Sequence, residues 1–553
     1  MTFKYLSLLG IDDPAAGFVS GRPVNPNVAS EDSLGLARMW LRNCLDKHEG
    51  CPKGGDSSFP SRIIDVCPVD GSDVPRLHMA HGELGQYVAL SYVWGDVQPF
   101  ATTTATIEAK IRGMKMTELP KTIRDAITVT RALGVRFLWV DSICIVQDST
   151  EDKAAEISRM TEIYTNAVVT ISAAGASCCS QGFLEERQES RSRLDKAVKL
   201  PYRCPDGTLG SVFLCRGAEY GVQTQPIDER AWTLQERVLS SRVLSYTSHR
   251  LEWECPTTLL ADGGLDPLHF PPCAVLIRHC SFPADHETDQ AIDLSGDTLM
   301  DVQEKWTDLV TSFSLRWLSF AGDKLPAIAG IAKRFQQFTG DTYLAGLWRS
   351  NLLEQLLWYH NPMPGRQHPI RPPIYRCPSW SWASVDGGIV FKSFSTRCPM
   401  QTRVTILHCE VAPATDLAPL GAVSDGHIKL HGPLMEMRWD DFYRLFTHRR
   451  SRPSLPEGNV YYFDGTASVS EYQVPERAGR DPAGGLPSNS CWLLELSMAS
   501  GTNRPSGLIL VHIKRDIFQR IGWFQLNKNP EKNDCDLSSN WDDGVEMRDI
   551  TII

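Results

Sequence analysis

No apolar run in the sequence approaches the roughly 20 residues a helix needs to cross a bilayer. The opening stretch, MTFKYLSLLGIDDPAAG, lacks an adequate hydrophobic signal region and a small-residue cleavage site. No G-x-x-x-x-G-K-[ST] loop occurs and no G-x-G-x-x-G follows a strand, so ATP-driven signalling by this chain alone is not expected. Basic residues are outnumbered, 56 against 66 acidic, for a formal charge of −10. That balance argues against a general phosphate-binding surface and against a nucleic-acid partner, while leaving room for a local basic patch. Internal repeats and long low-complexity tracts are missing as well. A soluble, cytoplasmic protein is the expectation.

What is present looks globular. Hydrophobic residues make up 42% and charged residues 22% of 553, which excludes bulk disorder. At about 100–200 residues per domain, the length suggests three or four domains. The 16 Cys are scattered, several inside apolar runs such as Cys144 in DSICIV. Buried reduced thiols have that distribution; a secreted disulfide frame does not.

Along the chain, residues 32–48 place Leu34, Ala37, Trp40, Leu41, Cys44, Leu45 and His48 on one helical face. SRIIDV (61–66) reads as a first strand, and YVALSYVW (87–94) as a second that ends at the turn signal Gly95–Asp96. LPKTIRDAITVTRALG (119–134) is a helix with Pro120 near its start and Gly134 at its end. RFLWVDSICIV (136–146) reads as a strand covered on both faces, residues 151–167 as a helix, and VVTISAA (168–174) as a strand. Strands and helices in alternation imply a parallel sheet. Residues 185–225 read as an irregular, Arg-rich excursion. WTLQERVL predicts a helix, with RVLSY and RLEWECP as strands after it. Helices are expected over 304–320, 325–338 and 340–359, followed by a Pro-rich linker (361–378). The remainder alternates like strands and predicts a β-rich sandwich or barrel. The boundaries are 1–59 for an N-terminal segment, 60–260 for the α/β domain, 261–378 for the helical region with its linker, and 379–553 for the β-rich domain.

Three blocks carry a resemblance. YVALSYVWGD (87–96), LPKTIRDAITVTRALGVRFLWVDSICIVQD (119–148) and RAWTLQERVLSSRVLSY (230–246) resemble, in order, the signature blocks of the fungal heterokaryon-incompatibility (HET) domain. MWLRNCLDKHEGC (39–51), EISRMTEIYTNAVVTISAA (156–174), RLEWECP (250–256), DKLPAIAGIA (323–332), YLAGLW (343–348) and PSWSWAS (378–384) resemble its other segments. One departure is Ala231, where the family most often has Gly; it matters only if that position needs a positive φ. The resemblance implies nonself recognition and regulated cell death in filamentous fungi, with a protein partner or self-association as the trigger. It also implies, by fold-level analogy, a three-layer parallel sheet of the Toll/interleukin-receptor (TIR) or flavodoxin-like kind.

Enzymatic TIR domains cleave the nicotinamide–ribose bond of NAD with one Glu, often just beyond a Trp. Here Trp232 and Glu236 stand at i and i+4 and share a helical face. N-glycosidic cleavage passes through an oxocarbenium-like transition state that a carboxylate stabilises. On that analogy Glu236 is the acid, Trp232 a wall and Arg230 a phosphate anchor, while Ser91, Trp94 and Asp96 line the crevice and Asp141 reaches it. NAD would then be a substrate, and no cofactor is assigned. The plainer readings make Glu236 a salt-bridge partner of Arg230 or Arg237, Asp141 a structural acid bonded to backbone N–H groups, the two tryptophans core residues, and Ser91 and Asp96 turn formers. Whether the chain is an enzyme stays open, and a metabolic enzyme reusing the fold is a further alternative. Cys44, His48 and Cys51 have metal-ligand chemistry in C-x3-H-x2-C, with Cys67 or His81 as a loose fourth. A Cys-rich helix packed on the sheet is the preferred reading, and no metal is assigned. THRRSRP (447–453) reads as a solvated loop, and Trp380 and Trp382 as a plug between the helical and β-rich regions.

Overall fold

A computed structural model describes residues 3–7, 13–19, 24–96, 98–187, 198–216, 224–262, 296–360, 371–392, 400–446, 460–464, 490–498, 505–526 and 541–553. The basic stretch 447–453 lies outside the described residues, as do parts of 185–225 and of the 361–378 linker. The chain divides into two compact units, Met1–Thr288 and Asp289–Ile553. No helix among the described residues is long and apolar enough to cross a membrane.

The first unit opens with β1 (Phe3–Ser7) and α1 (Glu31–Lys47), whose first turn is capped by the Ser30 hydroxyl accepting from the Ser33 N–H at 3.3 Å. Its central sheet contains β2 (Arg62–Asp65), β3 (Arg76–Met79), β4 (Tyr87–Ser91), β5 (Phe137–Trp139) and β6 (Val169–Ser172). After an excursion, β7 (Val243–Tyr246), β8 (Leu251–Glu254) and β9 (Leu259–Ala261) complete it. In space the order is β9-β8-β7-β6-β4-β5-β2-β3. The inner four strands, β7, β6, β4 and β5, are parallel, and by chain order they read fourth, third, first, second. Every residue of β4, β6 and β7 is buried, as strands covered on both faces require.

The sheet is mixed rather than parallel throughout. β2 runs antiparallel to both β3 and β5, and β8 and β9 extend the other edge antiparallel. The parallel expectation holds only where helices make the crossovers: α2 (Lys121–Ala132) between β4 and β5, and α3 (Met160–Asn166) before β6. The chain then crosses to β7 through α4 (Ala231–Leu239).

The apolar run 136–146 is a strand only as far as Trp139; Asp141–Cys144 is a single helical turn. Periodicity does not separate a buried strand from a buried helical turn. Here the Asp141 carboxylate accepts the Ser142 N–H at 2.6 Å, and the buried Arg62 Nε donates to the Cys144 carbonyl at 2.6 Å, so the turn's polar groups are satisfied locally. The predicted helix over 151–167 breaks at Arg159 into Thr150–Ser158 and α3. The excursion 185–225 is not wholly irregular: Val198–Arg203 and Leu209–Arg216 pair antiparallel, and the latter pairs with β1. Ala231 begins α4, and among the described non-Gly residues only Ala345 and Arg515 have positive φ, so the methyl group there is accommodated.

The second unit carries helices Gly296–Ser314 and Pro326–Thr339, the latter closed by the left-handed Gly340. The first stops at Ser314, short of the expected 320. The expected third helix is not one. Tyr343–Leu344 and Leu347–Trp348 form a two-residue hairpin with positive φ at Ala345 and Gly346, and helix resumes only over Leu352–Gln355. Trp306 and Trp382 both donate their indole N–H to the Gly346 carbonyl, at 3.1 and 2.9 Å, and tertiary bonds of that kind override a Leu-rich helical pattern. Trp380 and Trp382 are fully buried. The β-rich part is a seven-stranded sheet in which Glu546–Ile552 pairs with both Val423–Arg438 and Ile517–Gln525, curling it into a barrel-like form.

Candidate functional site

The carboxyl ends of the inner parallel strands are where an open α/β sheet places ligands. β4 ends at Ser91, and Asp141 follows β5 by two residues. There the Ser91 hydroxyl donates to the Glu236 carboxyl oxygen Oε2, which arrives from α4 across 145 residues of sequence. The Trp94 indole N–H donates to Asp141 Oδ2 at 2.9 Å, while Asp141 Oδ1 takes the Ser142 N–H. Ser91 and Glu236 are buried, at 3% and 5% exposure. Trp94, Asp141, Arg230 and Trp232 are half-buried, and Asp96 is exposed past the Gly95 turn.

The two carboxyls influence each other. Burial, reinforced by the charge of Asp141, pushes Glu236 up to about 8, against the bonds from Ser91 and Tyr164 and the charge of Arg230. Asp141 is pushed up to about 6, again by burial first, with the Ser142 N–H, Trp94, Arg230 and Tyr92 holding it down. At neutral pH, Glu236 therefore carries a proton and Asp141 is mostly ionised. Such a pair separates acid and base roles between two like groups.

Three hydroxyls that sequence reading passed over belong to the same cluster. Tyr92 donates to Ser142 Oγ at 2.8 Å and accepts from the Gln98 amide at 2.6 Å. Tyr164 donates to the Leu90 carbonyl at 3.1 Å and also faces Glu236. Burial lifts both phenols well above their usual range. Tyr164 lies within the helix predicted over 151–167 and carries no separate signal in the sequence. The usable signal for Tyr92 was its place in SYVWGD, between two residues already singled out. Of the plainer readings, Asp141 does bond a backbone N–H, though at the start of a helical turn instead of inside a strand. Arg237 pairs with Glu254 at 2.7 Å. Trp232 lies in the first turn of α4, and Arg230 stands at the residue before that helix, its charge acting on both carboxyls. Asp96 makes no hydrogen bond into the cluster among the described residues.

Residues 87–236 match the family described as Heterokaryon incompatibility protein (HET). A curated relative, "Heterokaryon incompatibility protein 6, OR allele" of Neurospora crassa, is 33% identical over 94 residues. That match covers 15% of this chain and 13% of the relative, so the chain spans only a small part of that protein's length. No solved structure matches the chain.

Proposed function

Proceeding from a heterokaryon-incompatibility domain at residues 87–236, we propose that this chain acts in nonself recognition and in the regulated cell death that follows an incompatible encounter. The family match carries the reading, and the relative's name supports it. On this reading the functional module spans 60–260 and works in the cytoplasm, with a protein partner or a second copy of the chain as trigger. Within it, the Ser91–Glu236 bond joins the two ends of the matched segment and fixes α4 against the end of β4. Trp94, Arg230 and Trp232 are then held beside it, half-buried, as the groups a partner would meet. Inducible expression in a filamentous fungus tests the reading. Growth arrest is expected from the unaltered chain and, because the output is association, from Glu236→Gln, which keeps an acceptor for Ser91 while removing the acid. A chain that accumulates without any effect on growth, even when paired with incompatible strains, overturns it.

A second reading rests on the carboxyl pair: cleavage of the nicotinamide–ribose bond of NAD, with Glu236 as acid, Asp141 ionised beside it, Trp232 as a wall and Arg230 toward phosphate. The order of the inner parallel strands, second-first-third-fourth, is that of flavodoxin-like sheets and supports a TIR-like layering. Against it stands burial: a carboxyl 5% exposed and bonded to Ser91 must open before a ribose reaches it. Incubating purified protein with NAD and assaying free nicotinamide separates the two. The first reading expects none, and turnover lost in Glu236→Gln would favour the second.

A further inference from the structure

A second constellation lies apart from the carboxyl cluster and outside the matched residues. Cys44 sits in the last turn of α1, His48 caps that helix, Cys51 follows in the next loop, and Cys255 stands just past the end of β8. We propose that these four side chains form a structural zinc site of the Cys3His type, one that clamps α1 to the edge of the central sheet.

Their ligand atoms all lie within 4.8 Å of one another. A tetrahedral zinc with Zn–S about 2.3 Å and Zn–N about 2.0 Å has S···N edges of about 3.5 Å and S···S edges of about 3.8 Å. The His48 Nδ1 atom is 3.4 Å from Cys255 Sγ and 3.8 Å from Cys51 Sγ, on either side of the first value. All three cysteines are buried, at 0%, 4% and 2% exposure for Cys44, Cys51 and Cys255. Sequence spacing alone offered Cys67 or His81 as the fourth ligand. Both are exposed, and the chain instead supplies Cys255 from more than two hundred residues away. Thiolates with one imidazole in a closed tetrahedron select zinc over hard cations such as calcium or magnesium.

A separate observation points to a charged centre. Arg242 is 2% exposed, and its Nε donates to Cys44 Sγ at 3.1 Å. Its other described hydrogen bonds go to carbonyl oxygens, those of Val168 at 3.2 Å and of Pro52. A guanidinium buried against carbonyls and a neutral thiol lacks a counter-charge, which is costly. Three thiolates, a neutral imidazole and one divalent cation leave a net single negative charge, and Arg242 balances it. Thr257 adds a second outer contact, its hydroxyl 3.2 Å from Cys51 Sγ. On binding, the three thiols release their protons to solvent, so affinity rises with pH.

The test uses the full chain, produced with zinc in the medium and purified under reducing conditions. Elemental analysis is expected to find about one zinc per chain. Replacing zinc with cobalt should give the visible bands of tetrahedral Co²⁺ together with sulfur-to-cobalt charge transfer. Cys255→Ser should lose the metal, Cys67→Ser should keep it, and Arg242→Met should weaken binding by about 10–100-fold. If Cys255→Ser fails to fold, the zinc content and cobalt spectrum of the unaltered chain decide. A cooperatively folded chain that stays below about 0.1 zinc after incubation with the metal overturns the site. So does a disulfide joining two of the three cysteines when free thiols are blocked at lysis.

Discussion

At the scale of single residues, Glu236 carries the clearest consequence. Its ordinary value near 4.5 is raised to about 8 in the folded chain, mainly by burial. Between those values the folded chain holds a proton that the unfolded chain has released. Stability is therefore full below about pH 4.5 and falls as pH rises toward about 8. Glu236→Gln keeps a neutral group of the same shape, and its melting temperature should fall less across that window, overtaking the parent at the alkaline end. The loss in the parent is on the order of a few kcal/mol, and thermal melts in a buffer series measure it. Asp141 titrates lower in the same window and is coupled to Glu236, so Asp141→Asn and the double variant, melted in the same buffers, separate the two contributions. Arg62 gives a second case. It is buried, bonded to the Cys144 carbonyl, and paired with Asp152 at 2.5 Å. Arg62→Ala leaves Asp152 without this cation and the buried Glu156 with Arg159 at 4.0 Å, and should cost about 3 kcal/mol in urea unfolding.

At the scale of elements, departures from the expected pattern occur where a tertiary partner outbids local periodicity. The hairpin at 343–348 is the plainest. Gly346 has φ +99°, and a Cβ there would lie 2.4 Å from Trp382 Nε1. Gly346→Val therefore meets both backbone strain and a clash, and should destabilise the second unit by about 1–3 kcal/mol or more. Denaturation followed by near-ultraviolet circular dichroism, which senses Trp306, Trp348 and Trp382, checks it. The strand that stops at Trp139 has the same explanation: a run of Val, Ile and Cys fits a buried strand or a buried turn, and Arg62 and Asp141 settle the choice by taking up the turn's polar groups. By contrast α1, α2 and α4 were legible because the apolar spacing over 32–48, Pro120 and Gly134, and the WTLQE spacing are local signals.

At the scale of the whole molecule, two compact units with cores of their own imply that unfolding is not a single all-or-none step. Calorimetric enthalpy should exceed the van't Hoff value. A ratio of one, with every optical probe coincident, would contradict this. If zinc is held as inferred, stripping it should lower the transition of the first unit, because all four ligands belong to residues 1–288.

Much of the α/β order of the first unit and the β-rich end could be read from the residues alone, since caps, turns and periodicity act over a few positions, while the three blocks around Ser91, Asp141 and Glu236 stood out through their resemblance to the family's motifs. Which strands run antiparallel, that Ser91 bonds Glu236 and Trp94 bonds Asp141, that Tyr92 and Tyr164 join them, and that Cys255 completes the set begun at Cys44 were decided by the fold. Those contacts link residues tens to hundreds of positions apart. Local preference carries no record of such distances; burial and the need to satisfy every buried polar group do.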